Sequence, residues 1–161
     1  MSVENFIIRE AQKADVPAIL ELIKGLAEYE KLSHEVVATE ELLQQWLFEK
    51  KKAEVLIGEY NREPVRFALF FHNFATFRGR AGIYLEDLFV KPEYRGKGFG
   101  KTLLVRLAKI AVERGCGRFE WSCLDWNTPS IKFYLSMGAE PMDGWTVYRV
   151  TGDKLSEMAK M

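Results

Sequence analysis

The chain has 161 residues with 48% apolar and 13% aromatic content, enough for one domain with a substantial core and too apolar for a disordered segment. Its 23 basic and 23 acidic residues cancel, so no net field points to nucleic acid or to an anionic membrane surface. The longest apolar run, Phe67–Phe71, falls far short of the roughly 20 residues a membrane span needs.

In chain order, Phe6-Ile7-Ile8 reads as a short strand. Asp15 is placed to cap a helix with Pro17 in its first turn, and Ile19, Leu22, Ile23, Leu26 and Ala27 recur at helical spacing. A second helix starts at Thr39-Glu40 and runs to about Phe48. Strands are expected at Ala53–Tyr60 and, after the Asn61–Pro64 turn, at Val65–Phe74, then at Gly82–Val90. A long amphipathic helix follows from about Gly100 to Arg114, then a strand at Arg118–Leu124. Pro129 opens the next helix with Thr128 as its cap, and Gly138 closes it. Trp145–Val150 reads as a last strand before a short polar helix. The order β-α-α-β-β-β-α-β-α-β-α, without linker or repeat, predicts a single α/β (α+β) domain over 1–161. Its sheet should be mixed, antiparallel in the first half and parallel later.

The most informative stretch lies between Tyr84 and Thr102, Y-L-E-D-L-F-V-K-P-E-Y-R-G-K-G-F-G-K-T. A strand, a glycine-rich loop and a helix start in that order expose backbone N–H groups at the positive end of a helix dipole, which suits a phosphate-bearing ligand. A nucleoside-triphosphate loop, G-x-x-x-x-G-K-[ST], would need glycine at Arg95. A dinucleotide loop, G-x-G-x-x-G, would need it at Lys101. The pattern [QR]-x-x-G-x-[GA] is met outright by Arg95, Gly98 and Gly100.

That last pattern is the pyrophosphate loop of the Gcn5-related N-acetyltransferases (GNAT), and the element order resembles their fold, a mixed sheet of about seven strands flanked by helices. The resemblance is strongest to the diamine (spermidine/spermine) and thialysine acetyltransferases. It is carried by I-R-x-A with L-I-x-x-L-A-x-Y-E ending at Glu30, by Y-L-E-D-L-F-V, by Y-R-G-K-G-F-G, and by L-D-W-N-x-P-S-I-x-F-Y-x-x-x-G-A ending at Ala139. The segment Glu140–Asp143 is shorter than the matching loop of animal members. The resemblance implies acetyl-coenzyme A as cosubstrate, no metal, direct attack by an amine, a cytoplasmic location and a homodimer. It leaves open a protein N-terminus as acceptor, or a non-catalytic acyl-coenzyme A-binding module.

Residue by residue, the resemblance assigns the cofactor to the backbone of Leu88, Phe89 and Val90 and to the loop Arg95, Gly96, Lys97, Gly98, Phe99, Gly100 and Lys101. Asn127 and Ser130 join them from the helix after Pro129. Tyr134 lies on the same helical stripe as both and matches the family's general acid; a phenol of pKa ~10 is a usable acid toward a departing thiolate. Glu86 matches a residue at the amine site that accepts the amine proton, and Tyr29, Glu30 and Asp143 match others near the amine. Several acids around one slot suit a substrate with more than one positive charge.

Glu86 and Asp87 interrupt an apolar strand, and simple alternation sends them to opposite faces. His34 and His72 stand alone in the sequence. Cys116 and Cys123 form no C-x-x-C and read as two buried thiols in a reducing compartment. The opening Met-Ser-Val-Glu-Asn-Phe lacks the pattern of a secretory signal.

Overall fold

The computed structural model describes residues 5–161, which form two compact units, one ending at Ser122 and the other beginning at Cys123. The first is built on a five-stranded sheet of order β1-β2-β3-β4-β5: β1 Phe6–Glu10, β2 Glu54–Tyr60, β3 Glu63–Ala75, β4 Arg80–Val90 and β5 Phe119–Trp121. β1 to β4 are antiparallel neighbours and β5 joins β4 in parallel, the mixed sheet expected of a meander followed by a helical crossover. Its helices are α1 Val16–Tyr29, α2 Glu40–Leu43, which continues as π-helical turns over Gln44–Glu49, and α3 Phe99–Glu113.

Both faces of the sheet are covered, which is why β3 buries Val65, Arg66, Phe67 and Ala68 in succession instead of alternating. On one face Ile57, Phe67 and Phe89 pack with Ile19 and Leu22 of α1 and Leu47 beyond α2. On the other face lie Leu56, Ala68 and Leu88, where α3 brings Leu103 and Leu107, both fully buried. Each such leucine contributes about 1.5–3 kcal/mol by burial.

Asp15 stands at the start of α1 but does not cap it with its side chain. Its carboxylate accepts from both Arg9 Nη atoms at 2.8 Å and from the Gln12 N–H at 2.6 Å, tying β1 to the helix start. The Arg9 contact holds that carboxyl below its ordinary range. Thr39 does cap α2, accepting from the Leu42 N–H at 3.2 Å.

In the second unit, α4 spans Thr128–Ser136 with Pro129 in its first turn. Its cap is Asn127, not Thr128: the asparagine carbonyl accepts from the Ser130 N–H at 3.4 Å. A short α5, Asp153–Met158, follows. The strand expected at Trp145–Val150 does not form. Among the described residues its main chain joins no ladder, and Trp145, Val147 and Tyr148 are exposed. Alternating side chains give a segment the character of a strand, but only a neighbour's main chain makes it one. β5 likewise stops at Trp121, short of the expected Leu124, so the sheet has five strands among the described residues instead of about seven.

Candidate active site

β4 positions the site. Its register against β3 slips between Leu69 and Phe70: Leu69 faces Asp87, Phe70 faces Leu85, and Glu86 is the extra residue of a bulge. The bulge reverses the alternation. Leu85 shares a face with Phe70, whereas Asp87 shares the α1 face with Leu69 and Phe89. β5 pairs with β4 only at Ile83, Tyr84 and Leu85. From Glu86 to Val90, that edge of β4 has no ladder partner among the described residues.

Acids gather beside this edge. Asp87 is largely buried, and burial, then the neighbouring charges of Glu86 and Glu30, push its carboxyl up to about 7. Glu30, at the end of α1, is also raised by burial. Glu86 itself is exposed. Aligned on one cluster, these groups form an electronegative patch that a cation would relieve.

The loop after β4 begins with a short helical turn at Pro92–Tyr94. Arg95 folds back on the strand: its Nε donates to the Val90 carbonyl at 2.9 Å, and its guanidinium lies 4.5 Å from the Tyr29 ring centroid and 5.4 Å from that of Phe89. Gly96 and Gly98 both have φ +78°, a left-handed conformation that glycine takes without strain. A Cβ at either would meet nothing within 4 Å, so the loop's outer side is open. Gly100 sits in the first turn of α3, where a Cβ would lie 3.9 Å from Leu88 and Val90. The Thr102 N–H closes the first turn on the Gly98 carbonyl at 3.0 Å, so the N–H groups of Phe99, Gly100 and Lys101 lie ahead of the helical ladder. Open glycine backbone at the positive end of a 15-residue helix fits an anionic diphosphate, with Lys97 and Lys101 adding charge.

Phe89 and Phe99 turn their rings into the core and offer the site their backbone, the Phe89 ring also underlying Arg95. Both side chains are buried, the Phe99 ring 4.4 Å from that of Phe6. The first unit therefore brings Tyr29, Glu30, Glu86 and the loop to one end of β4. In the second unit Asn127 caps α4, Ser130 and Tyr134 lie on it with the Tyr134 ring 5.5 Å from Phe133, and Asp143 follows, exposed.

Two residues went unassigned on sequence. Asp87 was visible as a carboxylate in an apolar strand, but its side of the sheet depends on the bulge. Arg66 was visible only as one charge in the run V-R-F-A-L-F-F. It is 2% exposed, and its Nη1 donates to the Phe99 carbonyl at 2.8 Å and to Thr102 Oγ1. His72, alone in sequence, meets Arg114 at 2.9 Å and has Cys116 Sγ 3.9 Å from its Nδ1. Both cysteines are half-buried, not fully buried as expected. No group of three or more metal-binding side chains occurs among the described residues.

Residues 17–139 match the Acetyltransferase (GNAT) family. The chain belongs to the GNAT acetyltransferases. It is an amine N-acetyltransferase of their diamine and thialysine branch. It is 38% identical over 165 residues to a thialysine N-epsilon-acetyltransferase of Bos taurus, covering 95% of this chain and 96% of the relative. It is 35% identical over 200 residues to an L-ornithine N5-acetyltransferase of Arabidopsis thaliana, covering 96% and 88%. Among solved structures, an integron cassette protein from the mobile metagenome of V. cholerae superposes with a TM-score of 0.83 at 27% identity, covering 98% and 99%. In this GNAT chain no helix among the described residues is long and apolar enough to cross a membrane.

Proposed function

We propose that this acetyltransferase transfers the acetyl group of acetyl-coenzyme A to the primary amine of a short diamine or of a thialysine-like amino acid. The observation that carries this reading is the bulge at Glu86, which sets an open strand edge, an acid cluster and the glycine loop at one end of β4. Acetyl-coenzyme A, when bound, supplies an activated thioester. The loop N–H groups from Gly96 to Lys101 hold its diphosphate, and the free edge of Leu88–Val90 orients the arm and donates to the thioester oxygen.

Glu30, Glu86 and Asp143 hold a distal ammonium, while Glu86, directly or through water, takes the proton lost by the reacting amine. That nitrogen forms the bond to the acetyl carbon as the carbon–sulfur bond breaks, and the Tyr134 hydroxyl gives its proton to the leaving thiolate. Asn127 and Ser130 are assigned to the cofactor by the matched motif. The names of the relatives, thialysine and L-ornithine acetyltransferases, support an acceptor carrying both an amine and further charge. The brevity of Glu140–Asp143 favours short acceptors over spermine.

A homodimer in the cytoplasm completes the proposal. Support for the dimer comes from the exposed apolar side chains of Trp145, Val147 and Tyr148 in the segment Trp145–Val150.

Coenzyme A release measured with spermine, spermidine, short diamines, thialysine and monoamines of matched length tests the substrate. Short dicationic acceptors should lead, and Glu86→Gln should lower kcat/KM for them more than for the monoamine. A preference for spermine, or equal losses in the two cases, would defeat the assignment.

A further inference from the structure

Arg66 lies on the α3 face of the sheet, paired across β3 with Gly58 on one side and Val90 on the other. Gly58 is what admits it: a Cβ there would fall inside the Arg66 side chain, so the arginine stem runs over bare backbone. The guanidinium is roofed by the Phe99 ring, 4.8 Å away, and its Nε has no hydrogen-bond partner. No carboxylate pairs with it among the described residues. A buried cation without a counter-ion is costly to the fold. Burial alone lowers the guanidinium's affinity for its proton, with no acid opposing the shift.

The contacts Arg66 makes hold the turn but are not needed to satisfy its polar groups. Thr102 Oγ1 already donates to the Phe99 carbonyl at 2.9 Å, and that carbonyl belongs to the first turn of α3. An apolar side chain at 66 would leave no orphaned polar group there. The charge is therefore placed against the fold's own interest, directly under the first turn of α3, on the strand adjoining Leu88–Val90.

We infer that Arg66 is a positioning residue for the cofactor's diphosphate: it clamps the first turn of α3 beneath the loop and supplies a fixed positive charge that only an anion at that turn balances. This rests on the acetyl-coenzyme A reading above. The residue does not touch the ligand; it acts through Phe99 and Thr102 and through its field, which weakens little with salt in a buried site.

Arg66→Met keeps length and apolar packing while removing charge and fork, and Arg66→Lys keeps the charge. Calorimetry with coenzyme A, and kinetics with acetyl-coenzyme A against acetyl-pantetheine, which lacks the diphosphate and nucleotide, separate the roles. In Arg66→Met, Kd for coenzyme A and KM for acetyl-coenzyme A should rise roughly tenfold with kcat held within about twofold. KM for acetyl-pantetheine should not change. The free variant should melt no lower than wild type, yet gain less thermal stability from coenzyme A. Arg66→Lys should recover part of the affinity. Unchanged coenzyme A affinity in Arg66→Met would overturn the inference, as would equal losses with both thioesters, which would mark a purely structural role. Wild-type protein that fails to bind coenzyme A would instead overturn the cofactor reading beneath it.

Discussion

A carboxyl held near 7 is about half protonated at neutral pH, so the charge of Asp87 follows whatever approaches it. The sign of its linkage is fixed. Unfolded, the group ionises near pH ~4; folded, it keeps its proton to about 7, so stability falls as pH rises between those values and levels off above. Asp87→Asn removes the ionisation and should match wild type below pH ~4, then exceed it by roughly 1–3 kcal/mol above pH 7. Urea melts across this range check it, and parallel curves would show that Asp87 is not held as described. A cationic amine acts in the opposite sense, drawing the carboxyl toward ionisation and releasing its proton. Tyr134 belongs to the same scale. Tyr134→Phe should lower kcat by roughly 10²–10⁴-fold with coenzyme A affinity retained, measured by steady-state kinetics and calorimetry. Full activity would leave thiolate protonation to water. The identity of these groups was legible in the sequence. The face Asp87 occupies was not, because one bulge residue decides it and no residue pattern announces a bulge at Glu86.

The loop and the first turn of α3 separate conformational need from ligand need. Gly98 has a positive φ, so any side chain there strains the backbone whether or not a ligand binds. Gly100 is helical, and a Cβ there makes only an ordinary 3.9 Å contact with Leu88 and Val90. Gly100→Ala should therefore leave the melting temperature within about 2 °C of wild type while raising Kd for coenzyme A at least tenfold; Gly98→Val should lower both stability and affinity. Wild-type affinity in Gly100→Ala would show that the diphosphate does not approach this turn. The loop itself was readable, since its glycines, its preceding strand and its following helix are contiguous. Helix starts were less so: Asp15 went to Arg9, and Asn127 took the cap from Thr128, because several short polar side chains compete for the same N–H groups and tertiary partners choose among them.

At the scale of the whole molecule, the element order and the mixed sheet followed from periodicity and connection lengths, whereas the Trp145–Val150 strand failed because its partner is not specified by its own residues. If a second copy supplies that partner, sedimentation equilibrium should give twice the chain mass. Charging the segment with Val147→Asp should then shift the population toward monomer; a wild-type monomer at micromolar concentration would remove the dimer from the proposal. Arg66 crosses over the bare backbone of Gly58. The two positions form a lock that opens in one order only. Any side chain introduced at 58 while Arg66 is present must evict a buried cation, whereas after Arg66→Ala the same change enters vacated space. Gly58→Ala should thus be severe alone and mild in the Arg66→Ala background, a strongly non-additive pair. A lineage carrying this arginine can lose it in a single step. It can drift at position 58 only after that loss, and regaining the arginine would first require the glycine to return.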